Sequence, residues 1–413
     1  MAPVGSFESL MAAIQGGADA VYFGIGKFNM RSRSSQNFTL EDLKNISEVC
    51  RENNVKTYIT LNTVLYDEEI EDIRKIIDSA VENNIDAIIA SDRAVINYAI
   101  SKKINIHAST QCNISNFEAV RYYAQFSDVI VLARELNLKQ IKSIYLNIIK
   151  ENICGPSGSL LRIEAFAHGA LCMAISGKCY LSLDNMNYSA NRGACLQLCR
   201  RVYEVKDIEE GNELKIDGAY IMSPKDLCTI DFLDKIINAG VSVLKIEGRG
   251  RSPEYVKTVT SCYKEASMAV LNNTYSENAI NEWKNKLNSV YNRGFWEGYF
   301  MGKKIGEWTN KYGSQASTKK VYVGKITNYF SKLNVAEIKI ETGTLNIGDN
   351  IIVIGPTTGV IELNVAEIRV DLLPVPQAEK GTMCSVFIEN TVRRADKLYK
   401  IVSSENDASL IDE

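Results

Sequence analysis

The chain has 413 residues, 46% hydrophobic and 23% charged, which suits a globular protein with one large domain and a smaller one. A formal net charge of −3 excludes a uniformly basic surface, so any RNA contact must come from local patches. No apolar run reaches the ~18–20 residues of a membrane span, MAPVGSFESL lacks the basic and apolar parts of a signal peptide, and ten cysteines without an export signal read as cytosolic thiols and metal ligands. A cytoplasmic protein is expected.

Up to about residue 270, short β-branched runs alternate with amphipathic stretches. Residues 6–16 read as helix and AVYFGI (20–25) as a buried strand. Thr39 caps a helix, with Asp42 at its third position, that runs to about Asn54. VKTYITLN (55–62) is a strand and residues 67–84 a helix. AIIASD (87–92), NIHASTQ (105–111) and DVIVLARE (128–135) each lead into a helix, the last near 138–149. RIEAFAHG (162–169) and SVLKIEG (242–248) complete the pattern, and Pro253 opens a further helix.

Near-continuous apolar strands alternating with helices imply a parallel sheet covered on both faces, as in a (β/α)8 barrel or a doubly wound sheet. Seven such strands are readable, and an eighth is expected just before Ala2. Residues 184–217 are an insertion, in which Cys195 and Cys199 would share one face of a helix and a second helix from Ser223 or Pro224 would carry Cys228. From Lys319 the pattern becomes six short strands with Gly, Asp and Asn turns. The expected architecture is therefore α/β: a TIM-like (β/α)8 barrel over 1–273 with a Cys-rich insertion at about 170–230, a helical connector over 274–318, a small all-β barrel over 319–402, and a disordered tail over 403–413.

In such a barrel, function sits at the C-terminal ends of the strands. Those ends carry Gly24, Gly26, Asn62, Ser91, Asp92, Gln111, Asn113, Glu135, His168, Glu247 and Arg249, a strongly polar set. The cysteines follow directly after His168: Cys172, Cys179, Cys195 and Cys199, with Cys228 in SPKDLC. An iron–sulfur cluster takes four thiolates at irregular spacing, whereas structural zinc prefers two tight pairs and only Cys195/Cys199 is close-set. Inert buried thiols are the third reading. The chain has neither an H-E-x-x-H zinc motif nor a G-x-S-x-G elbow.

The stretch E-x-F-x-H-G-A-L-C-x(4)-G-x-C-x-L-S at Glu164–Ser182 resembles the signature of the peptidase U32 family. The resemblance continues through NRGACLQLCR, SPKDLC, LKIEGRGRSPEYV, the N-terminal APVGSFESLMAAIQGGADAVYFG and NRGFWEGYF, and so covers the whole chain. Despite that name, the better-understood members resemble iron–sulfur hydroxylation proteins, and a chain with an added C-terminal barrel is most similar to the tRNA hydroxylation group. The resemblance implies a [4Fe–4S] cluster on Cys172, Cys179, Cys195 and Cys228, with Cys199 as the alternative ligand. It also implies oxygen-independent 5-hydroxylation of a wobble uridine with prephenate as a co-substrate, tRNA as partner, and a paralogous U32 protein as a second one. On that reading Arg31, Arg33, Arg249 and Arg251 are candidates for carboxylate or phosphate groups. Asn62, Gln111 and Asn113 suit a base edge, and Glu247, Glu135 and His168 suit proton transfer or contact with the cluster. Hydroxylation of rRNA or a quinone precursor, and U32-type proteolysis, are the alternatives.

Overall fold

A computed structural model describes residues 1–33, 37–204, 221–303, 306–311 and 313–404. Strands β1 (Ala2–Pro3), β2 (Ala20–Gly24), β3 (Lys56–Leu61), β4 (Ala87–Ala90), β5 (Asn105–Ala108), β6 (Val129–Val131) and β7 (Arg162–Ala170) pair in chain order, all parallel. Strand β8 (Asp226–Cys228) adds antiparallel to the end of β7, and β9 (Val241–Ile246) pairs parallel with β7. The far side of β9 meets β1, where the Met1 amine donates to Leu244 O at 2.9 Å and Ile246 N to Met1 O at 3.1 Å. The α/β fold is TIM-barrel-like. The first strand described is Ala2–Pro3, which pairs with β2 next to the place where the eighth strand was expected.

The longer helices form where the sequence carries a 3.6-residue apolar stripe, and some of them also carry a side-chain cap. The helices are α1 (Phe7–Gln15), α2 (Asp42–Glu52), α3 (Ile70–Glu82), α4 (Arg93–Ser101), α5 (Phe117–Ala124), α6 (Leu138–Lys150), α7 (Leu181–Met186), α8 (Leu233–Asn238), α9 (Pro253–Leu271) and α10 (Glu277–Ser289). In α3 the inward face is Ile73, Ile76, Ile77 and Ala80. Side chains of Ser6, Asp92, Asn116 and Asn137 accept from the first free backbone N–H groups of α1, α4, α5 and α6. Thr39 donates to Asp42 through both its N–H and its hydroxyl.

Two local expectations fail. Cys228 lies on strand β8, not on a helix, because Asp226–Cys228 is sandwiched between β7 and β10 (Phe295–Trp296), partners distant in sequence. Cys195 and Cys199 do not share a helix either, since Gln197 between them is left-handed at φ +53° and only Leu198–Arg200 forms a short turn of 3-10 helix.

The C-terminal region contains more strands than expected. They are β11 (Thr318–Phe330), β12 (Val335–Ile340), β13 (Thr344–Asn346), β14 (Asn350–Gly355), β15 (Gly359–Asn364), β16 (Ile368–Val370), β17 (Leu373–Val375), β18 (Gln377–Glu379), β19 (Met383–Phe387) and β20 (Lys397–Ser403). Eight form one sheet in the order β15-β14-β20-β11-β12-β19-β16-β17, and β13 pairs with β18 as a separate ribbon. Among the described residues β15 and β17 end the sheet without pairing to each other, so the barrel expected here is not closed by hydrogen bonds. One apolar cluster including Val323, Ile338, Leu345, Val353 and Ala378 nevertheless joins sheet and ribbon. This unit packs on α1 and α9: Gln15 Nε2 donates to Thr358 O at 2.8 Å, and Gln15 Oε1 accepts from Val360 N at 2.9 Å. The expected tail falls almost wholly at 405–413, outside the described residues.

Candidate active site

The C-terminal strand ends converge on one pocket. Its floor is made by Tyr22, Thr60, Asn62, Gln111, Arg134, Phe166, Lys245, Glu247 and Arg249, and its roof by the segment carrying Cys172, Cys179, Cys195 and Cys199. A second cavity shares Cys172, Cys195 and Cys199 with the first and adds Arg200, Arg251 and Arg293. Cys172, Cys195 and Cys199 therefore stand in the wall between two chambers.

The motif NRGACLQLCR explains how an irregular segment holds its cysteines in place. Asn191 Oδ1 accepts from the Cys179 N–H at 3.0 Å, and Asn191 O accepts from Val64 N at 3.1 Å. Arg192 forks onto Glu69, with Nη1 to Oε2 at 3.0 Å and Nη2 to Oε1 at 2.8 Å, which ties the segment to the loop after β3. Gly193 is left-handed at φ +83°, and a Cβ there would lie 2.2 Å from Asn29 O, so only glycine lets the two loops meet. Ser32 Oγ donates to Gly193 O at 2.9 Å. Arg200 Nη2 donates to Leu171 O at 2.7 Å, bracing the chain between Leu171 and Arg200 across the thiols.

The floor is a network of buried charged groups. Lys245 Nζ donates to Glu164 Oε1 at 2.7 Å, and His107 Nδ1 lies 3.6 Å from Glu164 Oε2. Burial alone would raise the Glu164 carboxyl, but Lys245 and His107 override it and hold it down at about 2. Glu247 is likewise held below the carboxylate range against its burial by Arg31, whose Nε and Nη2 lie 2.8 and 2.6 Å from Oε1, and by Arg249. Arg249 Nη1 donates to Thr60 Oγ1 at 2.9 Å, and burial lowers its guanidinium to about 10. Its Nε is buried with no hydrogen-bond partner among the described residues. Burial pushes the Cys199 thiol up to about 11 despite the neighbouring Arg200.

Of the residues expected at the site, Cys172, Cys179, Cys195, Cys199, Asn62, Gln111, Arg31, Arg249 and Glu247 line the main pocket, and Arg251 lines the second cavity. Asn62 Nδ2 donates to Gln111 Oε1 at 2.9 Å, which turns the two amides into one polar edge. The other expected residues are placed elsewhere or at the main pocket's border. Cys228 is buried in the hydrophobic core, its Sγ 3.8 Å from Tyr263 Oη of α9; burial raises its thiol to about 11. His168 is buried among Tyr255, Tyr263 and Phe295, and burial, then Arg251, drives it down to about 3, so it is neutral. Glu135 is exposed, and Arg134 one residue earlier takes the inward position. Asn113 borders the pocket without lining it, its Nδ2 donating to Gln111 O and to Ser176 O. Arg33 stacks on Tyr188, 4.0 Å from the ring centroid. Lys245, Tyr22, Thr60, Phe166 and Arg134 are the site residues that strand-end reading misses.

The donor set suits a thiophilic centre in kind and number: four soft thiols border one pocket. Among the described residues no three Cys, His, Asp or Glu side chains converge closely enough to hold a metal ion in this conformation. The thiols sit on non-helical loop or on the short turn at Leu198–Arg200 rather than on the barrel strands.

Curated relatives align along nearly the whole chain. A protein named collagenase from Porphyromonas gingivalis is 58% identical over 405 residues, covering 98% of both chains. An uncharacterized protease of Methanocaldococcus jannaschii is 36% identical over 404 residues, covering 97% of each. The tRNA hydroxylation protein P1 of Bacillus subtilis is 31% identical over 364 residues, covering 86% of this chain and 83% of its own. The model of peptidase family U32 matches residues 5–310, so the chain belongs to that family.

Proposed function

We propose that this pocket is an iron–sulfur centre for nucleobase hydroxylation, with Cys172, Cys179, Cys195 and Cys199 as ligands and the wobble uridine of tRNA as substrate. The observation that carries this reading is the meeting of four thiols with a paired amide edge, Asn62 and Gln111, at the mouth of the barrel. Cys199 takes the fourth position in place of Cys228, which is sealed in the core. When bound, such a cluster supplies one-electron or Lewis-acid chemistry. The chain's own residues do the rest. The amide pair reads the edge of the uracil ring, and Phe166 and Tyr22 offer it apolar and aromatic surface. Arg249, with its unpartnered Nε, and Lys245 suit the carboxylates of a co-substrate such as prephenate. Glu247, kept ionised by Arg31, is the pocket's candidate proton acceptor.

Peptide-bond hydrolysis is the second reading, and by similarity of named relatives it has the stronger support, since the 58%-identical relative is called a collagenase. The geometry favours it less. A thiol nucleophile needs a base beside it, and His107 and His168, the two histidines of the sequence, line neither chamber. The two readings separate in one experiment: nucleoside analysis of tRNA from a strain lacking the gene, alongside a gelatin and peptide cleavage assay of the purified protein. Loss of 5-hydroxyuridine derivatives with no cleavage supports hydroxylation. Unchanged tRNA with cleavage that Cys172→Ala abolishes supports hydrolysis.

A further inference from the structure

We propose that the arginine-lined chamber on the far side of the thiols is a phosphate subsite, which seats a phosphate of the nucleotide whose base enters the main pocket. The inference rests on the nucleic-acid reading above only for the molecule that carries the phosphate. Arg200, Arg251 and Arg293 reach this chamber from three separate segments: the end of the Cys-rich insertion, the loop after β9, and the stretch before β10. With Arg31 they bring four guanidinium groups against two carboxylates, Glu247 in the wall and Asp226 behind it.

Those carboxylates leave the chamber positive. Glu247 is already committed to Arg31. Asp226 lies 3.4 Å from Arg293 Nη1 and 3.9 Å from Arg251 Nη2, so one carboxylate is shared between two cations. Cations drawn out of water are costly unless an anion joins them. The arginines are also held in position before any ligand arrives. Arg251 stacks on Tyr291 with its Cζ 3.6 Å from the ring centroid, and Arg293 stands 5.2 Å from the same ring. Arg200 spends its donors on Ser223 Oγ, Pro224 O and Leu171 O, so it contributes charge, while Arg251 and Arg293 have donors to offer. A planar carboxylate is satisfied by one guanidinium fork, whereas a tetrahedral phosphate presents oxygens to several cations at once, which is the arrangement here.

The test uses the full chain, purified anaerobically with whatever metal it holds, and calorimetric titration with uridine, uridine 5′-monophosphate, inorganic phosphate and malonate. The monophosphate is expected to bind about 10- to 100-fold tighter than uridine. Inorganic phosphate should compete for that advantage and malonate should not. In Arg251→Gln, and separately in Arg293→Gln, the advantage should fall to within about 2-fold while uridine binding is unchanged. Equal binding of uridine and its monophosphate by the wild type, or equal competition by malonate, overturns the proposal even if both variants fail to fold. So does loss of iron or sulfide in the variants with anion binding intact, which would make the arginines counter-charges for the thiolates instead. Phosphate binding that the variants lose, with no uridine binding at all, would support the chamber and count against the nucleoside reading of the main pocket.

Discussion

Lys245 and Glu164 form an ion pair inside the barrel, Nζ to Oε1 at 2.7 Å, with both side chains almost completely out of solvent. The pair joins β9 to β7, and Lys245 also faces the rings of Tyr22 and Phe166, so it fixes the floor of the pocket from below. Breaking such a pair leaves a buried charge alone. Glu164→Gln should therefore lower unfolding free energy by about 3–5 kcal/mol, measured by urea denaturation at pH 7.

The same pair makes a pH prediction. Glu164 titrates at about 2 in the folded chain against 4.5 for the free carboxyl, so the unfolded state binds the proton first as pH falls. Its contribution is fully present above pH 4.5 and is lost as pH drops through about 2. His168 acts in the same direction over a higher window: it is held neutral down to about 3 against 6.5 when free, so stability also falls between those values. In a denaturation series from pH 7 to 3, His168→Gln should flatten the upper part of the slope and Glu164→Gln the lower part. A slope unchanged in both variants would contradict these assignments.

Gly177 tests the amide edge. It is left-handed at φ +72°, and a Cβ there would lie 2.8 Å from Gln111 Cγ. Gly177→Ala should displace Gln111 from Asn62 and weaken uridine binding about 10-fold, at a stability cost of about 1–3 kcal/mol. Asn62→Ala should weaken uridine to a similar degree, read by the same titration.

Gln15 tests the junction with the C-terminal sheet. Its amide makes both hydrogen bonds to the β15 turn, at Thr358 O and Val360 N. Gln15→Ala should cost about 1–3 kcal/mol and expose the junction to limited proteolysis, with the metal content unchanged.

The barrel was legible because its strands are largely apolar and its helices carry apolar stripes, signals local to each segment. The site was legible in part, for a reason visible at Arg134 and Glu135: both lie in the turn after β6, where no strand periodicity fixes direction, so an error of one position swaps a pocket residue for an exposed one. Lys245 and Glu164 were missed because they lie within strands rather than at their ends, although a charged residue inside SVLKIEG or RIEAFAHG was a signal available in the sequence. Cys228 was misplaced because its strand is made by pairing with β7 and β10, contacts that no local pattern announces.

Iron and acid-labile sulfide, measured on anaerobically purified wild type beside Cys199→Ser and Cys228→Ser, test the central claim most directly. The account predicts matched iron and sulfide in the wild type and in Cys228→Ser, and their loss in Cys199→Ser. A wild type without iron, or a cluster that survives Cys199→Ser and disappears with Cys228→Ser, would contradict it.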